Sequence, residues 1–419
     1  MEQILNRKLE KKLWKVIGRR EIIGLRGARQ SGKTTLLKII EMKLSGNKAF
    51  LNFDLAEHRR TLEETPVDLV KRFKKENEKL FFFLDEIQKV KDAGEKLKII
   101  YDQFPEVKMF ISGSSSLELK TKVLPALVGR LFLYELYTFD FEEFLSAKDE
   151  GLARVYKEKK LSLKNFFEDA DEIAQPSFKD EFLGYWKEYL VFGGYPEVVK
   201  SSDDEEKKLI LKNIFNLYLE KDIINFFRIE ETSKFEDFLK VLAFGISNVL
   251  SVSSLSSKMN ISHQKAEGFL NILQHTYTIS LLKPFYKNLV TEIRKAPKIY
   301  FLDFGLRNSV INNFLNFDSR TDGGELMENF VFRELTSAFE DYKVNYWRTT
   351  GKAEVDFVLS KSGKLIPIEV RLSEGKLGKS FYSFLKSYQP EKAVIVTLDK
   401  FAKQVINRTT IYWVPVFYF

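Results

Sequence analysis

The chain has 419 residues with 44% hydrophobic and 30% charged side chains, no cysteine, three histidines and a formal net charge of +8. This length exceeds one ordinary hydrophobic core, so we expect two or more domains in a soluble, cytoplasmic protein. The composition excludes disulfides, thiolate metal sites and cysteine catalysis, and no apolar run reaches the ~20 residues of a membrane helix. We therefore expect no membrane partner, whereas the modest positive charge permits nucleic-acid binding without requiring it.

A phosphate-binding loop is the first strong motif along the chain. Residues 27–34 fit G-x-x-x-x-G-K-[ST], in which glycines let successive backbone N–H groups face phosphate oxygens. An apolar segment at 20–26 and helical spacing at 35–42 predict the strand and helix that flank such a loop. Lys33 would reach the β- and γ-phosphates and Thr34 would complete a Mg²⁺ shell; the alternative is an ordinary glycine-rich turn. The predicted contacts to ATP or ADP are Gly27, Ala28, Arg29, Gln30, Ser31, Gly32, Lys33, Thr34 and Thr35.

Two carboxylates end the apolar segment at residues 79–86. Asp85 would hold Mg²⁺, directly or through water, and Glu86 would orient or polarise the attacking water. Acidic residues are also common at turns, but this pair follows a P-loop at a suitable distance. We interpret the pair as the second half of an ATPase site.

Two further positions are candidates for catalysis. A strand predicted at 107–112 leads to Ser114, which would sense the γ-phosphate from the strand between the two motifs, or else belong to a serine-rich turn that caps the next helix. Arg130 precedes an apolar strand at 131–134 and would act in trans as an arginine finger, or be an ordinary surface or capping arginine. The trans role implies a homo-oligomer, at least with ATP bound.

These motifs together resemble the archaeal and bacterial AAA+ (STAND-like) P-loop ATPases that carry a C-terminal domain of unknown function. The matching segments are 27–35, 84–88, 113–115 and 129–130, with further matches at 51–55, 139–145 and 192–196. A proline in a glycine-rich turn between helices is first of all a turn residue. The resemblance implies that Pro196 also contacts adenine, since the lid proline of such ATPases packs near that base.

The segment after the ATPase core, which we bound at residues 1–146, reads as amphipathic helices. We assign a helical lid and connecting helix to 147–231 and a winged helix to 232–300, with Ser262 capping the candidate recognition helix. Gln264 and Lys265 would meet base edges or phosphates. The predicted wing carries the basic residues Lys283, Lys287, Arg294, Lys295 and Lys298. Winged helices also contact proteins, so DNA and a protein partner both remain open.

The last segment, residues 301–419, carries a second constellation of carboxylates. Glu328 lies in a predicted helix, while Asp356 and Glu369 lie on the two strands of a predicted hairpin, so three carboxylates converge on a candidate second Mg²⁺ site. The arrangement resembles the PD-(D/E)xK nuclease core. Arg371 stands where that pattern has its catalytic lysine, and an arginine cannot serve as a base. Arg371 would stabilise phosphorane charge or pair structurally with Glu369.

The sequence thus predicts an α/β protein with a P-loop AAA+ core on a parallel sheet, a helical lid, a winged-helix module and a C-terminal α/β nuclease-like domain. We expect an ATPase that hydrolyses ATP to ADP and phosphate with Mg²⁺ and couples nucleotide state to a C-terminal region that binds DNA or a partner. Two alternatives remain. One is a slow nucleotide-gated switch of the STAND type without motor activity, and the other is a metal-dependent DNA nuclease.

Overall fold

The computed structural model describes residues 5–113, 119–220, 231–286, 292, 295–373 and 377–419. Two compact units divide the chain. The first comprises Met1–Thr138 with His275–Tyr277, and the second comprises Phe139–Gln274 with Thr278–Phe419. The domain boundaries predicted at residues 146, 231 and 300 stay predictions.

A five-stranded parallel sheet organises the first unit. Its strands are β1 (Ile22–Arg26), β2 (Asn47–Asn52), β3 (Leu80–Asp85), β4 (Val107–Gly113) and β5 (Leu131–Glu135). Its helices are α1 (Lys8–Trp14), α2 (Lys33–Lys43), α3 (Ala56–Glu64), α4 (Pro66–Phe73) and α5 (Ala93–Gln103). The strand order is β2-β3-β4-β1-β5, and every neighbouring pair is parallel.

Both faces of this sheet are covered, which explains the nearly continuous apolar runs of its strands. On one face, Leu36 and Ile40 of α2 pack with Leu25 of β1. On the other face, Leu97 of α5 packs with Phe82 of β3. Because the strands are parallel, their carboxyl ends meet at one edge, and the ends of β1, β3 and β4 lie together there.

The second unit contains helices and a six-stranded mixed sheet. Its helices are α6 (Phe141–Lys148), α7 (Glu150–Glu168), α8 (Lys179–Phe192), α9 (Pro196–Lys200), α10 (Asp204–Tyr218), α11 (Thr232–Phe244), α12 (Val252–Lys258), α13 (His263–His275), α14 (Phe304–Val310), α15 (Gly323–Ala338) and α16 (Lys379–Tyr388). Its strands are β6 (Ile279–Leu282), β7 (Lys298–Phe301), β8 (Lys343–Arg348), β9 (Glu354–Lys361), β10 (Lys364–Val370), β11 (Lys392–Thr397), β12 (Ala402–Ile406) and β13 (Thr409–Pro415). Strands β6 and β7 form a separate antiparallel pair.

The mixed sheet has the order β12-β13-β11-β10-β9-β8. Strands β8, β9 and β10 are antiparallel neighbours, whereas β10 pairs with β11, and β11 with β13, in parallel. Phe381 and Phe384 of α16 are buried with Trp347 of β8 in one cluster, so α16 covers part of one face. The predicted α/β class, with a parallel P-loop sheet and a further C-terminal α/β domain, is confirmed.

A buried ionic cluster joins distant segments of the second unit. Glu334 on α15 is fully buried, and its carboxylate accepts from Lys160 Nζ of α7 at 2.5 Å and from the backbone N–H of Phe141 at 3.1 Å. Residues predicted as the lid and residues predicted as the C-terminal domain therefore share one interior. In the part of the chain that the structure describes, no helix is long and apolar enough to cross a membrane.

Candidate functional site: the P-loop and a buried lysine–carboxylate cluster

Two glycines shape the loop between β1 and α2. Gly27 has φ of +155°, and a Cβ there would lie 2.0 Å from the carbonyl oxygen of Leu136. Gly32 is the left-handed N-cap of α2, with φ of +93°. Only glycine meets both requirements without strain, so these two pattern positions have a direct backbone cause.

Lys33 begins α2 and is buried within this loop. Its Nζ donates to the carbonyl oxygens of Gly27 at 3.0 Å and Ala28 at 2.7 Å. Both acceptors are neutral, and a phosphate oxygen forms a stronger, charge-assisted hydrogen bond with an ammonium. The ammonium is therefore held where an arriving phosphate can take the place of a carbonyl partner.

Arg7 is a contact to this loop that the sequence reading missed. Its side chain is buried, and it donates to the carbonyl oxygen of Ser31 at 2.6 Å and to that of Tyr137 at 2.7 Å. In a planar trans peptide the N–H points opposite to the C=O, so fixing the Ser31 carbonyl also fixes the Gly32 N–H. No motif marks an arginine twenty residues before the loop, and only its burial in the fold identifies it.

Thr34 and Asp85 come together across the sheet edge, as the predicted Mg²⁺ shell requires. Thr34 Oγ1 donates to Asp85 Oδ2 at 2.8 Å, and the Ser112 hydroxyl donates to Oδ1. Burial raises the pKa of Asp85, while these two hydrogen bonds act in the opposite direction. A carboxylate so placed can accept a hard cation beside the threonine hydroxyl.

Ser112 is the polar residue at the end of β4, and β4 lies between β1 and β3 as predicted. Ser114, the residue predicted for this position, lies outside the described residues. The sequence signal for Ser112 is its place near the end of β4, where side chains alternate between the two faces of the sheet. It is a hydroxyl residue in a fully buried strand that ends at the same sheet edge as β1 and β3.

Glu86 adopts a left-handed backbone conformation with φ of +56°, which is uncommon for a residue with a side chain. Its N–H donates to Ser112 Oγ at 3.3 Å, and Gln88 Nε2 donates to its Oε2 at 2.6 Å. These contacts fix the backbone and the carboxylate of Glu86, the residue that follows Asp85. Backbone strain of this kind is often concentrated at catalytic positions.

Two further ATPase candidates, Arg130 and Pro196, belong to different units. Arg130 forms an ion pair with Asp102 at 3.0 Å and lies over the ring of Tyr101. Pro196 lies in the second unit, where it starts α9 one residue after Tyr195. The roles assigned to Arg130 and Pro196 stay predictions.

The structure describes some of the residues predicted for the winged helix and contradicts the prediction for one of them, Lys298. Ser262 Oγ accepts from the backbone N–H of Lys265 at 3.1 Å, and the Lys265 side chain pairs with Glu231. Lys287 and Arg294 lie outside the described residues. The placement of Lys298 on a basic wing is wrong, because all four residues of β7 are buried and Lys298 is 1% exposed.

Lys298 instead lies among the carboxylates of the C-terminal constellation. Its Nζ is 2.9 Å from Glu328 Oε1, 2.7 Å from Glu354 Oε1 and 3.5 Å from Asp356 Oδ1. Burial would lower the pKa of Lys298, but the carboxylates outweigh it and hold that pKa above its ordinary value. Tyr300, two residues further along β7, donates to Glu328 Oε1 at 2.6 Å.

Glu369 completes this constellation from the neighbouring strand β10. Arg371 pairs with its Oε1, whereas its Oε2 is buried with no hydrogen-bond partner. Burial and then the charge of Asp356 raise the pKa of Glu369 to about 8. Among the residues that the structure describes, no three His, Cys, Asp or Glu side chains are spaced to hold a metal ion. The predicted convergence of Glu328 and Asp356 thus occurs around an ammonium, which sequence spacing did not reveal.

Three protein-family models match segments of this chain. The family model described as "AAA domain" matches residues 19–145, and two domains of unknown function, DUF8612 and DUF4143, match 183–317 and 323–417. An uncharacterized protein of Methanocaldococcus jannaschii is 26% identical over 410 residues, covering 94% of this chain and 84% of that protein. An uncharacterized protein of Mycobacterium tuberculosis is 23% identical over 394 residues, covering 92% and 78%.

Solved structures with likeness to this chain include ATPases. A Walker-type ATPase of Pyrococcus abyssi has a TM-score of 0.46 at 15% identity, covering 74% of this chain and 96% of that one. A Signal Transduction ATPase with Numerous Domains (STAND) protein of Pyrococcus horikoshii has a TM-score of 0.30 at 14% identity, covering 81% and 46%. These TM-scores are too low to carry an argument. The assignment of residues 19–145 to a P-loop AAA domain rests on the family-model match and on the geometry of the β1–α2 loop. Residues 19–145 therefore form a P-loop AAA domain, and residues 323–417 match a domain of unknown function.

Proposed function

We propose that this protein binds ATP with Mg²⁺ at the β1–α2 loop and hydrolyses it to ADP and phosphate. The observation that carries the proposal is the junction of the two motifs, where Thr34 Oγ1 lies 2.8 Å from Asp85 Oδ2. Lys33 enters the same loop from the first turn of α2. A phosphate-binding lysine, a hydroxyl and a carboxylate at one sheet edge are the parts that a P-loop hydrolase needs.

The residues of the β1–α2 loop and of the strand ends would have different roles in the proposed reaction. The Lys33 ammonium and the loop N–H groups bind the phosphate oxygens, helped by the positive end of α2. Bound Mg²⁺ would be held by Thr34 and Asp85 and would neutralise charge on the β- and γ-phosphates. Glu86 would orient the attacking water, and Ser112 and Gln88 would hold Glu86 in place. Positioning and electrostatic stabilisation carry most of the catalysis in phosphoryl transfer.

A phosphate-release assay with purified full-length protein tests this proposal. We expect release from ATP with Mg²⁺, and none when Mg²⁺ is chelated. Absence of release in both conditions, together with retained ATP binding, would favour a nucleotide-gated binding protein. Absence of ATP binding would contradict the proposal.

The second candidate function is a slow switch of the STAND type that acts through a partner. The left-handed conformation of Glu86, directly after Asp85, favours hydrolysis over nucleotide binding alone. Comparing phosphate release with and without double-stranded DNA separates the two. A rate that rises with DNA supports coupling to a DNA-binding C-terminal half, and an unchanged rate favours the switch.

Self-association is a separate part of this proposal. The exposed ion pair between Arg130 and Asp102 contributes little net stability. Arg130 would therefore leave Asp102 and reach a neighbour's nucleotide as an arginine finger. Light scattering with and without a non-hydrolysable ATP analogue tests the oligomer. A monomer in both conditions would remove the trans role of Arg130.

A further inference from the structure

Residues 7–20 concentrate the positive charge of the chain in the first unit. They include seven lysines or arginines and one acidic residue, so this segment has a net formal charge of +6 in a chain with +8 in all. The acidic residue, Glu10, is buried, and its carboxylate accepts from Lys43 Nζ at 2.7 Å and from Trp14 Nε1 at 2.9 Å. These contacts engage the one carboxylate of the segment, so it does not neutralise the exposed lysines.

Helix α1 buries its apolar side and exposes its lysines. Leu9 and Leu13 pack in the core cluster that includes α2 and β1. Lys11, Lys12 and Lys15 point away from that cluster and are exposed. Among the residues that the structure describes, Lys11 and Lys15 have no carboxylate partner. Residues three or four apart are neighbours on a helix surface, so these lysines form a continuous row.

The row of cations continues to the amino end of β1. Arg20 Nη2 donates to the neutral carbonyl oxygen of Tyr101 at 2.7 Å, and the guanidinium lies 4.4 Å from the centre of the Tyr101 ring. Arg20 precedes β1 and Gly27 follows it, and a five-residue strand spans about 16 Å. The row therefore leads away from the phosphate-binding loop. This basic row consists of Lys11, Lys12, Lys15 and Arg20.

We propose that the basic row binds the phosphate backbone of a nucleic acid without reading its bases. Duplex DNA carries one negative charge per ~1.7 Å of its axis, so a line of cations along one helix meets several phosphates. Ammonium groups on flexible stems bind phosphates as point charges and carry no sequence information. This binding surface belongs to the ATPase unit and uses none of the residues assigned to ATP.

Two other kinds of partner fit the basic row less well. An amphipathic helix binds a lipid surface through its apolar face, but Leu13 is fully buried in the core and is not available for insertion. Lysine is depleted at protein–protein interfaces, and the apolar side chains of residues 7–20 are buried or half-buried. The row therefore offers charge without an apolar contact surface, which suits a polyanion.

The predicted winged helix has fewer cations to offer to a nucleic acid. The side chain of Lys265, on the candidate recognition helix, pairs with Glu231. Lys298, placed by the sequence on a basic wing, is buried. The basic row thus provides a different surface for DNA, in the first unit instead of the second.

The experiment measures the fluorescence anisotropy of a labelled DNA duplex of about 20 base pairs, titrated with nucleotide-free, full-length protein at about 50–200 mM KCl. Each lost phosphate contact lowers the slope of log K against log salt by about 0.9. We therefore expect Lys11→Gln/Lys12→Gln/Lys15→Gln to reduce the magnitude of this slope by about 2–3 and to weaken binding at about 50 mM salt at least about tenfold. The variant should melt like wild type, because the three side chains are exposed.

The matched control removes three other lysines, each paired with an acidic residue three positions earlier, in Lys71→Gln/Lys98→Gln/Lys208→Gln. This control should keep the wild-type slope, since these charges are already balanced. An equal loss in the control would overturn the proposal, because net charge alone would then explain binding. A loss in Lys265→Gln with none in the triple variant of the basic row would also overturn it, in favour of the winged helix.

Two outcomes with wild-type protein contradict the proposal directly. One is the absence of DNA binding at about 50 mM salt, where phosphate contacts are strongest. The other is binding to vesicles of phosphatidylserine and phosphatidylcholine with none to DNA, which would identify a lipid surface as the partner. Since no nucleotide is present, these results do not depend on ATP binding or hydrolysis.

Discussion

Two of the buried lysines, one in each unit, differ in the kind of oxygen atom that they contact. Lys33 in the first unit donates to the neutral carbonyls of Gly27 and Ala28. Lys298 in the second unit contacts the carboxylates of Glu328 and Glu354. An ammonium gains more from a charged acceptor than from a neutral one, so Lys33 can exchange its partners for phosphate while Lys298 is retained. Under the proposed function, the lysine side chain would bind phosphate in the first unit, whereas it neutralises carboxylates in the second.

Lys108 in the first unit is another buried lysine whose acceptors are neutral. It is 1% exposed, and its Nζ donates to the backbone carbonyls of Arg19 at 2.9 Å and Glu21 at 2.5 Å. Burial, followed by the charge of Lys79, lowers the pKa of Lys108 to about 8. The pKa of Lys298 shifts in the other direction, because charged acceptors outweigh burial there.

The largest expected effect concerns Glu86. Glu86→Gln should slow phosphate release by about 10²–10⁴-fold, since the amide cannot accept a proton or polarise water as the carboxylate does. ATP affinity should stay close to that of wild type. Glu95→Gln on the exposed face of α5 is the control and should keep full turnover. Equal turnover in Glu86→Gln and wild type would remove Glu86 from the mechanism.

Ser112→Ala should have a smaller effect at the same site. The Ser112 hydroxyl donates to Asp85 and accepts the Glu86 N–H, so its loss unsettles both carboxylates. We expect turnover to fall by roughly tenfold and the half-saturating Mg²⁺ concentration to rise. Thr61→Ala on the surface of α3 should change neither quantity. An unaltered Mg²⁺ dependence in Ser112→Ala would show that Asp85 does not need this contact.

Arg7→Lys should weaken ATP binding by several-fold to about tenfold, because one ammonium cannot hold both the Ser31 and Tyr137 carbonyls in the geometry of a guanidinium. The loss of affinity should be larger for ATP than for adenosine, since the Ser31–Gly32 peptide belongs to the proposed phosphate-binding loop. Arg19→Lys, at an exposed pair with Glu21, is the control. Equal losses for ATP and adenosine would mean that Arg7 acts on general stability alone.

The smallest effect concerns pH and Lys108. Its folded pKa of about 8 lies below its ordinary 10.5, so the unfolded chain binds more protons between these values. Stability should therefore rise with pH across that window, by on the order of 1 kcal/mol from this group. Lys108→Met should lack this increment when urea denaturation is compared at pH 8 and pH 10. An identical pH dependence in both proteins would contradict the lowered pKa.

The sequence predicted the first unit more completely than the second. A P-loop has fixed spacing and a backbone cause, so Gly27, Lys33 and Asp85 could be located without coordinates. Arg7 could not, because its contact to the loop depends on tertiary packing across 24 residues. Spacing likewise placed Lys298 in a basic wing, since the sequence does not show that β7 is buried beside Glu328. Side chains that meet only through the fold leave no local pattern to read.

Calorimetric titration of wild type and Lys33→Ala with ATP, in the presence of Mg²⁺, tests whether the β1–α2 loop is the nucleotide site. We expect wild type to bind ATP and Lys33→Ala to lose at least about 100-fold in affinity, because the charged phosphate contact is gone. Lys38→Ala, an exposed lysine on the same helix, should bind like wild type. Near-equal affinity in Lys33→Ala and wild type would contradict the assignment of the β1–α2 loop as the nucleotide site.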